Sequence, residues 1–107
     1  GDAFEADVAA PFIRRRDLVL DMIEGMYAIK VIPPDGAMYV MLDLRATGLS
    51  GLDFAMRLLE EHHVAVMPGE SFGQAAAGHV RVGLTVDDDR LVGAMGSIIE
   101  MVTELTA

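Results

Sequence analysis

The chain has 107 residues, 52% of them hydrophobic, and it carries a formal net charge of −9 with no cysteine. This length fits one domain with a single hydrophobic core, and the apolar content excludes an intrinsically disordered chain. The acidic balance argues against nucleic acid and anionic membrane surfaces as partners, because both attract clustered Lys and Arg. The absence of cysteine excludes disulfides, thiol nucleophiles and thiolate metal sites, and it fits a cytoplasmic location.

No apolar run reaches the roughly 20 residues that span a bilayer, and the acidic opening lacks the basic region of a signal peptide. The chain begins Gly1-Asp2 rather than with Met, so we expect its natural context to be longer. The high apolar content includes eight methionines. Such a composition favours a domain with one face that packs against a missing part of the protein.

The first half of the chain predicts one helix and two strands. Residues 11–24 place apolar side chains at helical spacing, and Gly25 is a suitable stop. Residues 28–32 alternate and are rich in β-branched side chains, which predicts a strand. Residues 33–36 form the turn sequence Pro-Pro-Asp-Gly, and residues 37–43 then predict a second strand, antiparallel to the first.

The second half of the chain begins with a further predicted helix. Ser50 and Asp53 resemble a capping box at its start. Its predicted apolar stripe comprises Leu52, Ala55, Met56 and Leu59. Residues 64–67 then predict a short buried strand, residues 68–78 a glycine-rich loop and residues 79–84 another strand.

The final predicted helix follows three consecutive aspartates, which suit the positive end of its dipole. Its predicted buried side comprises Leu91, Met95, Ile98, Val102 and Leu105. Gly93 and Gly96 lie inside this helix, where we expect them to permit close packing. The order α-β-β-α-β-β-α predicts an α+β fold of two layers, with helices packed on one face of a small mixed β-sheet.

Arg81 is the candidate binding residue that the sequence pattern singles out. Alternation in its predicted strand places it on the face opposite Val80 and Val82, beside Gly83, which leaves room next to it. A planar guanidinium in such a place can hold a carboxylate through two parallel hydrogen bonds. A solvent-facing arginine or a structural ion pair is the competing interpretation.

Three other patterns favour structural roles over chemistry. Residues 69–73 match the G-x-S-x-G nucleophile elbow, but no histidine follows His79, so we do not expect serine hydrolysis. The adjacent histidines at 62–63 would point about 100° apart on a helix, which disfavours a metal site. The basic run at residues 14–16 is interpreted as a solvated helix face, countered by the aspartates that follow it.

Four stretches, in order, carry a family resemblance. They are Arg15-Arg16-Asp17; Pro34-Asp35-Gly36-Ala37-Met38-Tyr39; Leu58-Leu59-Glu60-Glu61 with residues 64–73; and Gly78-His79-Val80-Arg81-Val82-Gly83-Leu84. Together they resemble the C-terminal small domain of class I and II aminotransferases, the fold-type I pyridoxal-phosphate enzymes. Met38 departs from the aromatic residue that the family often has there, which affects only the lining of the substrate pocket.

The resemblance implies that residues 1–107 are the small domain of a longer enzyme. That enzyme would move an amino group between an amino acid and a 2-oxo acid through pyridoxal 5'-phosphate, as a cytoplasmic homodimer. Arg81 would hold the α-carboxylate of the substrate, and Phe72 with the turn at residues 68–69 would approach the substrate pocket.

The same resemblance implies that no catalytic or cofactor-binding residue lies in this chain. No metal site is expected from the residue patterns above. The family carries its Schiff-base lysine, the acid at the pyridine nitrogen and the phosphate cup in the large domain. Lys30 is the only lysine here and matches no part of the lysine motif. Alternation directs it toward solvent. The isolated chain is therefore expected to be inactive.

Two alternatives remain open at this point. A transcription regulator that fuses a DNA-binding winged helix to an aminotransferase-like effector domain would share this C-terminal fold. A free-standing domain that binds a small molecule or a protein is the other. The sequence upstream of Gly1 would separate these hypotheses. The side chain of the amino acid substrate stays open as well.

Overall fold

The computed structural model describes residues 2–32 and 38–107, so the turn predicted at residues 33–36 lies outside the described residues. In chain order the elements are α1 (Asp2–Ile23), β1 (Lys30–Ile32), β2 (Tyr39–Asp43), α2 (Gly51–His62), β3 (Met67–Pro68), β4 (His79–Gly83) and α3 (Asp88–Leu105). Short 3-10 turns lie at Arg45–Thr47, Gly69–Phe72 and Gln74–Ala76. The predicted order of helices and strands and the α+β class are confirmed.

The sheet has the order β1-β2-β4-β3, and each of these neighbouring pairs is antiparallel. The expectation of a mixed sheet was therefore wrong. The physical reason is the position of β4, which lies between the two strands that α2 connects. As a result β2 and β3 run in the same direction, as in a crossover unit, but they are not neighbours.

One face of the sheet packs against the helices and forms the core. Val40 and Leu42 in β2 alternate with outward residues, as do Val80 and Val82 in β4, and all four are at most 4% exposed. The helices complete this core with Val19, Ile23, Phe54, Leu58, Leu91, Met95, Ile98, Met101 and Val102. The predicted inner sides of β4 and α3 are confirmed, with Leu105 at the edge of the core.

The opposite side of the sheet carries the remaining strand residues, and we call it the outer face. The antiparallel register places Met41 and Met67 on either side of Arg81, and Asp43 beside His79. Directly opposed residues in such a strand pair share a face, so these five side chains all lie on the outer face. The outer face therefore carries both apolar and charged residues.

Helix α1 begins earlier than predicted, at Asp2 rather than at residue 11. The predicted start rested on the apolar side chains at helical spacing, which become regular only from residue 11 onward. The preceding residues are mostly Ala, Glu and Asp, and the helix continues through the proline. Gly25, with a positive φ of 83°, follows the helix end as expected.

Helix α2 turns a different side to the core than predicted. Its start is confirmed, because Ser50 Oγ accepts a hydrogen bond from the Asp53 N–H at 3.0 Å. The buried side chains of the helix are Phe54, Ala55 and Leu58. Leu52, Met56 and Leu59 of the predicted stripe are 50%, 53% and 53% exposed. Apolar residues occupy both sides of α2 at helical spacing, so periodicity could not choose between them.

The two glycines in α3 do not serve close packing, contrary to expectation. Gly93 and Gly96 are exposed, and a Cβ added to either would meet no heavy atom within 4 Å. The helix instead packs through its larger apolar residues. Its start is capped by Asp87, whose carboxylate accepts the Arg90 N–H at 2.8 Å.

The basic run in α1 is more than a solvated face. Arg15 is 17% exposed, and it donates to the Leu84 carbonyl at 2.8 Å and to the Asp88 carboxylate at 3.0 Å. Arg14 contacts the same carboxylate at 3.3 Å. These bonds tie α1 to the start of α3, a contact across more than 70 residues that local sequence cannot indicate.

Candidate binding site around Arg81

Arg81 lies in the second of the two central strands, β4, with β2 on one side and β3 on the other. It is partly buried on the outer face, as its alternation predicted. It borders an open cavity of about 590 Å³. The other residues that line this cavity are Met38, Tyr39, Ala65, Val66, Met67, Gly83 and Thr85.

Two aromatic rings contact the guanidinium of Arg81. Its Cζ lies 4.7 Å from the centre of the Tyr39 ring and 4.4 Å from the centre of the Phe72 ring. These distances fit cation–π interactions. Within the described residues, Arg81 forms no ion pair with a carboxylate. The described residues therefore give no support to the competing interpretation of a structural ion pair. The guanidinium N–H groups can donate hydrogen bonds to a ligand.

The loop that carries Phe72 is fixed by the carboxylate of Glu70. This carboxylate accepts the N–H groups of Gly51 at 2.9 Å, Leu52 at 3.1 Å and Gly78 at 2.9 Å. The bond from Gly78, followed by the others, lowers the pKa of Glu70 below its usual value. Because Gly51 and Leu52 open α2, the loop is tied to a helix N-terminus, where a negative charge is favourable.

The same loop leaves no room for a side chain at Gly69. A Cβ there would collide with the carbonyl groups of Ala76 and His79. The segment Gly69–Phe72 forms a 3-10 turn rather than the sharp turn into a helix that a nucleophile elbow requires. This glycine is thus explained by packing of the loop, and the G-x-S-x-G pattern by coincidence.

A second charged cluster lies two residues further along the outer face. The buried Asp43 carboxylate accepts three hydrogen bonds from Arg45. They come from Nε at 3.0 Å, from Nη2 at 2.8 Å and from the backbone N–H at 3.0 Å. Hydrogen bonding to Arg45 lowers the pKa of Asp43 to about 2, against the opposing effect of burial. His79 is also buried, with Nε2 at 4.0 Å from the same carboxylate and Nδ1 at 2.9 Å from the Ala77 carbonyl.

Lys30 lies apart from the Arg81 cavity. It is exposed, as predicted, and in β1 it pairs with Asp43, whereas Arg81 pairs with Met41. It therefore lies two strands and two residues away from Arg81. Among the side chains that the structure describes, those of residues 10–32 and 38–107, no group of three or more His, Cys, Asp or Glu could hold a metal ion. The same part of the chain contains no helix with the length and apolar character of a membrane span.

Sequence reasoning placed Arg81 and Phe72 at one site, and the structure brings them together. It did not single out Tyr39, Glu70 or the Asp43 cluster. Alternation in β2 could have placed Tyr39 on the face of Arg81. No local signal marks Glu70, because its partners lie 8 to 19 residues away.

The comparisons with known proteins agree with this architecture. The family model for aminotransferase class I and II matches residues 2–98. An arginine–pyruvate transaminase of Pseudomonas aeruginosa is 46% identical over 92 residues, which cover 86% of this chain and 23% of that protein. An aspartate aminotransferase of Pyrococcus horikoshii is 38% identical over 78% of this chain and 22% of its own length.

Solved structures give the same result. An aromatic aminotransferase of Pyrococcus horikoshii superimposes with a TM-score of 0.78 at 34% identity, over 89% of this chain and 25% of that one. The aspartate aminotransferase of Thermus thermophilus with maleate gives a TM-score of 0.75 at 34% identity, over 92% and 25%. The chain belongs to the class I and II aminotransferase family, and it spans about a quarter of the length of these relatives.

Proposed function

We propose that the chain is the C-terminal small domain of a pyridoxal-phosphate-dependent aminotransferase and that Arg81 binds the α-carboxylate of its substrates. The observation that carries this proposal is an arginine that borders a cavity of about 590 Å³ and contacts two aromatic rings. Phe72 would contribute to the same substrate pocket. The Thermus thermophilus relative, whose structure contains the dicarboxylate maleate, supports a carboxylate ligand.

The full-length enzyme would exchange an amino group between an amino acid and a 2-oxo acid. The family relatives with named activities are aminotransferases, and a related putative aminotransferase of Clostridium difficile has been solved with pyridoxal phosphate bound. The family, the absence of cysteine and the acidic charge lead us to propose a cytoplasmic homodimer, with no nucleic-acid or membrane partner. Nothing in the structure or the comparisons supports a winged-helix regulator.

The residues of this chain do not fit the cofactor by themselves. Pyridoxal phosphate supplies the electron sink for amino transfer and needs a lysine that forms a Schiff base with it. Lys30 is remote from Arg81 in the sheet register. We therefore propose that a large domain of the same chain binds the cofactor and that the 107 residues alone are inactive.

Substitution of Arg81 in the full-length enzyme tests this proposal. Arg81→Ala should lower kcat/KM for the amino acid and the 2-oxo acid alike, because the substrate carboxylate loses its partner. The expected loss of transition-state stabilisation is about 2–5 kcal/mol. Arg81→Lys should recover only part of this, since an ammonium group cannot form two parallel bonds.

The matched control is Arg90→Ala, an arginine whose side chain is 79% exposed. It should leave both half-reactions unchanged. The cofactor absorbance of all variants should match that of the wild-type enzyme, which separates substrate binding from cofactor loss. A decrease of less than about tenfold for Arg81→Ala, or an equal decrease for Arg90→Ala, would contradict the assignment.

A further inference from the structure

We propose that Tyr39 and Phe72 are positioning residues that hold the Arg81 guanidinium so that its N–H groups point at a substrate carboxylate. This inference rests on the proposed function for the identity of the ligand. It assigns a role to Tyr39, and it specifies how Phe72 contributes to the substrate pocket, namely by supporting the arginine. The two ring distances, 4.7 Å and 4.4 Å, place the guanidinium against both aromatic surfaces.

The chemistry of a stacked guanidinium explains why two rings suit this task. The N–H groups of arginine lie in the plane of the group, so contact between its face and a ring leaves them available. A long, flexible side chain normally loses conformational freedom when it binds a ligand. An arginine that is already ordered against aromatic rings loses less of that freedom and binds a carboxylate more tightly.

The sheet places Tyr39 next to Arg81. Tyr39 pairs with Gly83 in the β2–β4 register, one diagonal step from Arg81. Diagonal neighbours of this kind are within reach of aromatic and long side chains. Gly83 has no side chain that competes for this space, and a Cβ built there would meet open space.

The second ring is delivered by the loop rather than by the sheet. Phe72 ends the 3-10 turn Gly69–Phe72, and Glu70 in the same turn accepts three backbone N–H groups. Two of these donors open α2 and the third, Gly78, precedes β4. The backbone that carries Phe72 is therefore tied by Glu70 to the start of α2 and to the residue before β4.

The test uses the full-length enzyme, with maleate and pyruvate as the carboxylate probes. We expect Tyr39→Leu and Phe72→Leu each to raise the Kd of both probes on the order of fivefold. This is the range of one cation–π contact. Tyr39→Phe and Phe72→Tyr, which keep the rings, should stay within about twofold of wild type. Tyr27→Leu is the matched control, because this tyrosine is 75% exposed and outside the Arg81 cavity.

A double-mutant cycle separates positioning from a general structural effect. If the rings act through the arginine, Tyr39→Leu and Phe72→Leu should cause no further loss in an Arg81→Ala background. A full additional loss in that background, or unchanged affinity in the single ring variants, would overturn the positioning role. Phe72→Leu alters a half-exposed loop residue, so it still provides the test if Tyr39→Leu does not fold.

The design distinguishes this inference from the proposed function. If Arg81→Ala weakens the binding of both probes and the ring variants do not, the carboxylate site stands and the positioning role is overturned. If Arg81→Ala leaves the affinity for both probes unchanged, or the wild-type enzyme binds neither, the carboxylate role of Arg81 fails and the positioning role with it.

Discussion

Two arginines near the outer face of the sheet differ in the groups that they contact. Arg45 is bound to the buried Asp43 carboxylate through three hydrogen bonds, so its charge is compensated within the fold. Arg81 contacts aromatic rings and, among the described residues, pairs with no carboxylate. Arg45, in the 3-10 turn after β2, is thus a structural group, whereas Arg81 in β4 is a candidate ligand-binding group.

Asp43 should make the stability of the protein depend on pH in the acidic range. Its folded pKa of about 2 lies below the ordinary value of 3.8, so its stabilisation is fully present above about pH 4 and is lost as pH falls toward 2. Asp43→Asn should therefore lower the free energy of unfolding by about 2 kcal/mol at neutral pH. Urea unfolding of both proteins from pH 2 to 7 measures this difference.

The two unfolding curves should converge near pH 2, where the wild-type carboxylate becomes protonated. Asp21→Asn is the control, because this aspartate is exposed and makes no side-chain hydrogen bond among those of the described residues. A constant difference between wild type and Asp43→Asn at every pH would show that the ionised carboxylate is not the cause.

At the scale of single residues, alternation alone was enough to place Arg81 on the outer face. Alternation also puts His79 on that face, but it cannot indicate that His79 is buried, because the loop at Gly69 packs against it. No local pattern could have predicted the role of Glu70, because its three hydrogen-bond donors come from two other segments. Long-range contacts of this kind are what sequence reasoning could not supply.

Among the elements, α2 and the loop that follows it depend on each other. The loop segment Gly69–Phe72 supplies Glu70 to the first N–H groups of the helix, which have no partner within the helix itself. Apolar spacing predicted that this helix exists, and the capping box of Ser50 and Asp53 predicted where it begins. They could not identify its buried side, because Phe54 with Leu58 and Leu52 with Met56 are both at i, i+4 spacing.

Glu70→Ala should loosen the loop and destabilise the protein. The change removes the acceptor for three N–H groups, and loss of a helix N-terminal acceptor costs about 1 kcal/mol of unfolding free energy. Faster amide hydrogen exchange is expected at Gly51 and Gly78. Glu60→Ala, on the exposed side of α2, should change neither quantity. Unchanged exchange at Gly78 in the Glu70 variant would contradict the anchoring role of this carboxylate.

For the molecule as a whole, apolar surface is spread over more than one element. Ile13 and Leu20 in α1 and Phe72 in the loop after β3 are each at least 40% exposed. Helix α2 adds a stripe that the prediction had assigned to the core. This distribution fits a domain whose remaining faces pack against other parts of a longer chain, which is the arrangement proposed above.

The isolated 107-residue chain should therefore self-associate or bind a hydrophobic dye. Soluble monomers seldom expose contiguous apolar patches beyond a few hundred Å². Met56→Lys and Leu59→Lys, on the exposed stripe of α2, should shift the sedimentation profile toward monomer and reduce dye fluorescence. Glu104→Lys introduces the same side chain at an exposed position of α3, outside this stripe, and should do neither. If the unmodified chain sediments as one monomeric species without dye binding, the small-domain proposal loses this support and a free-standing binding domain gains it.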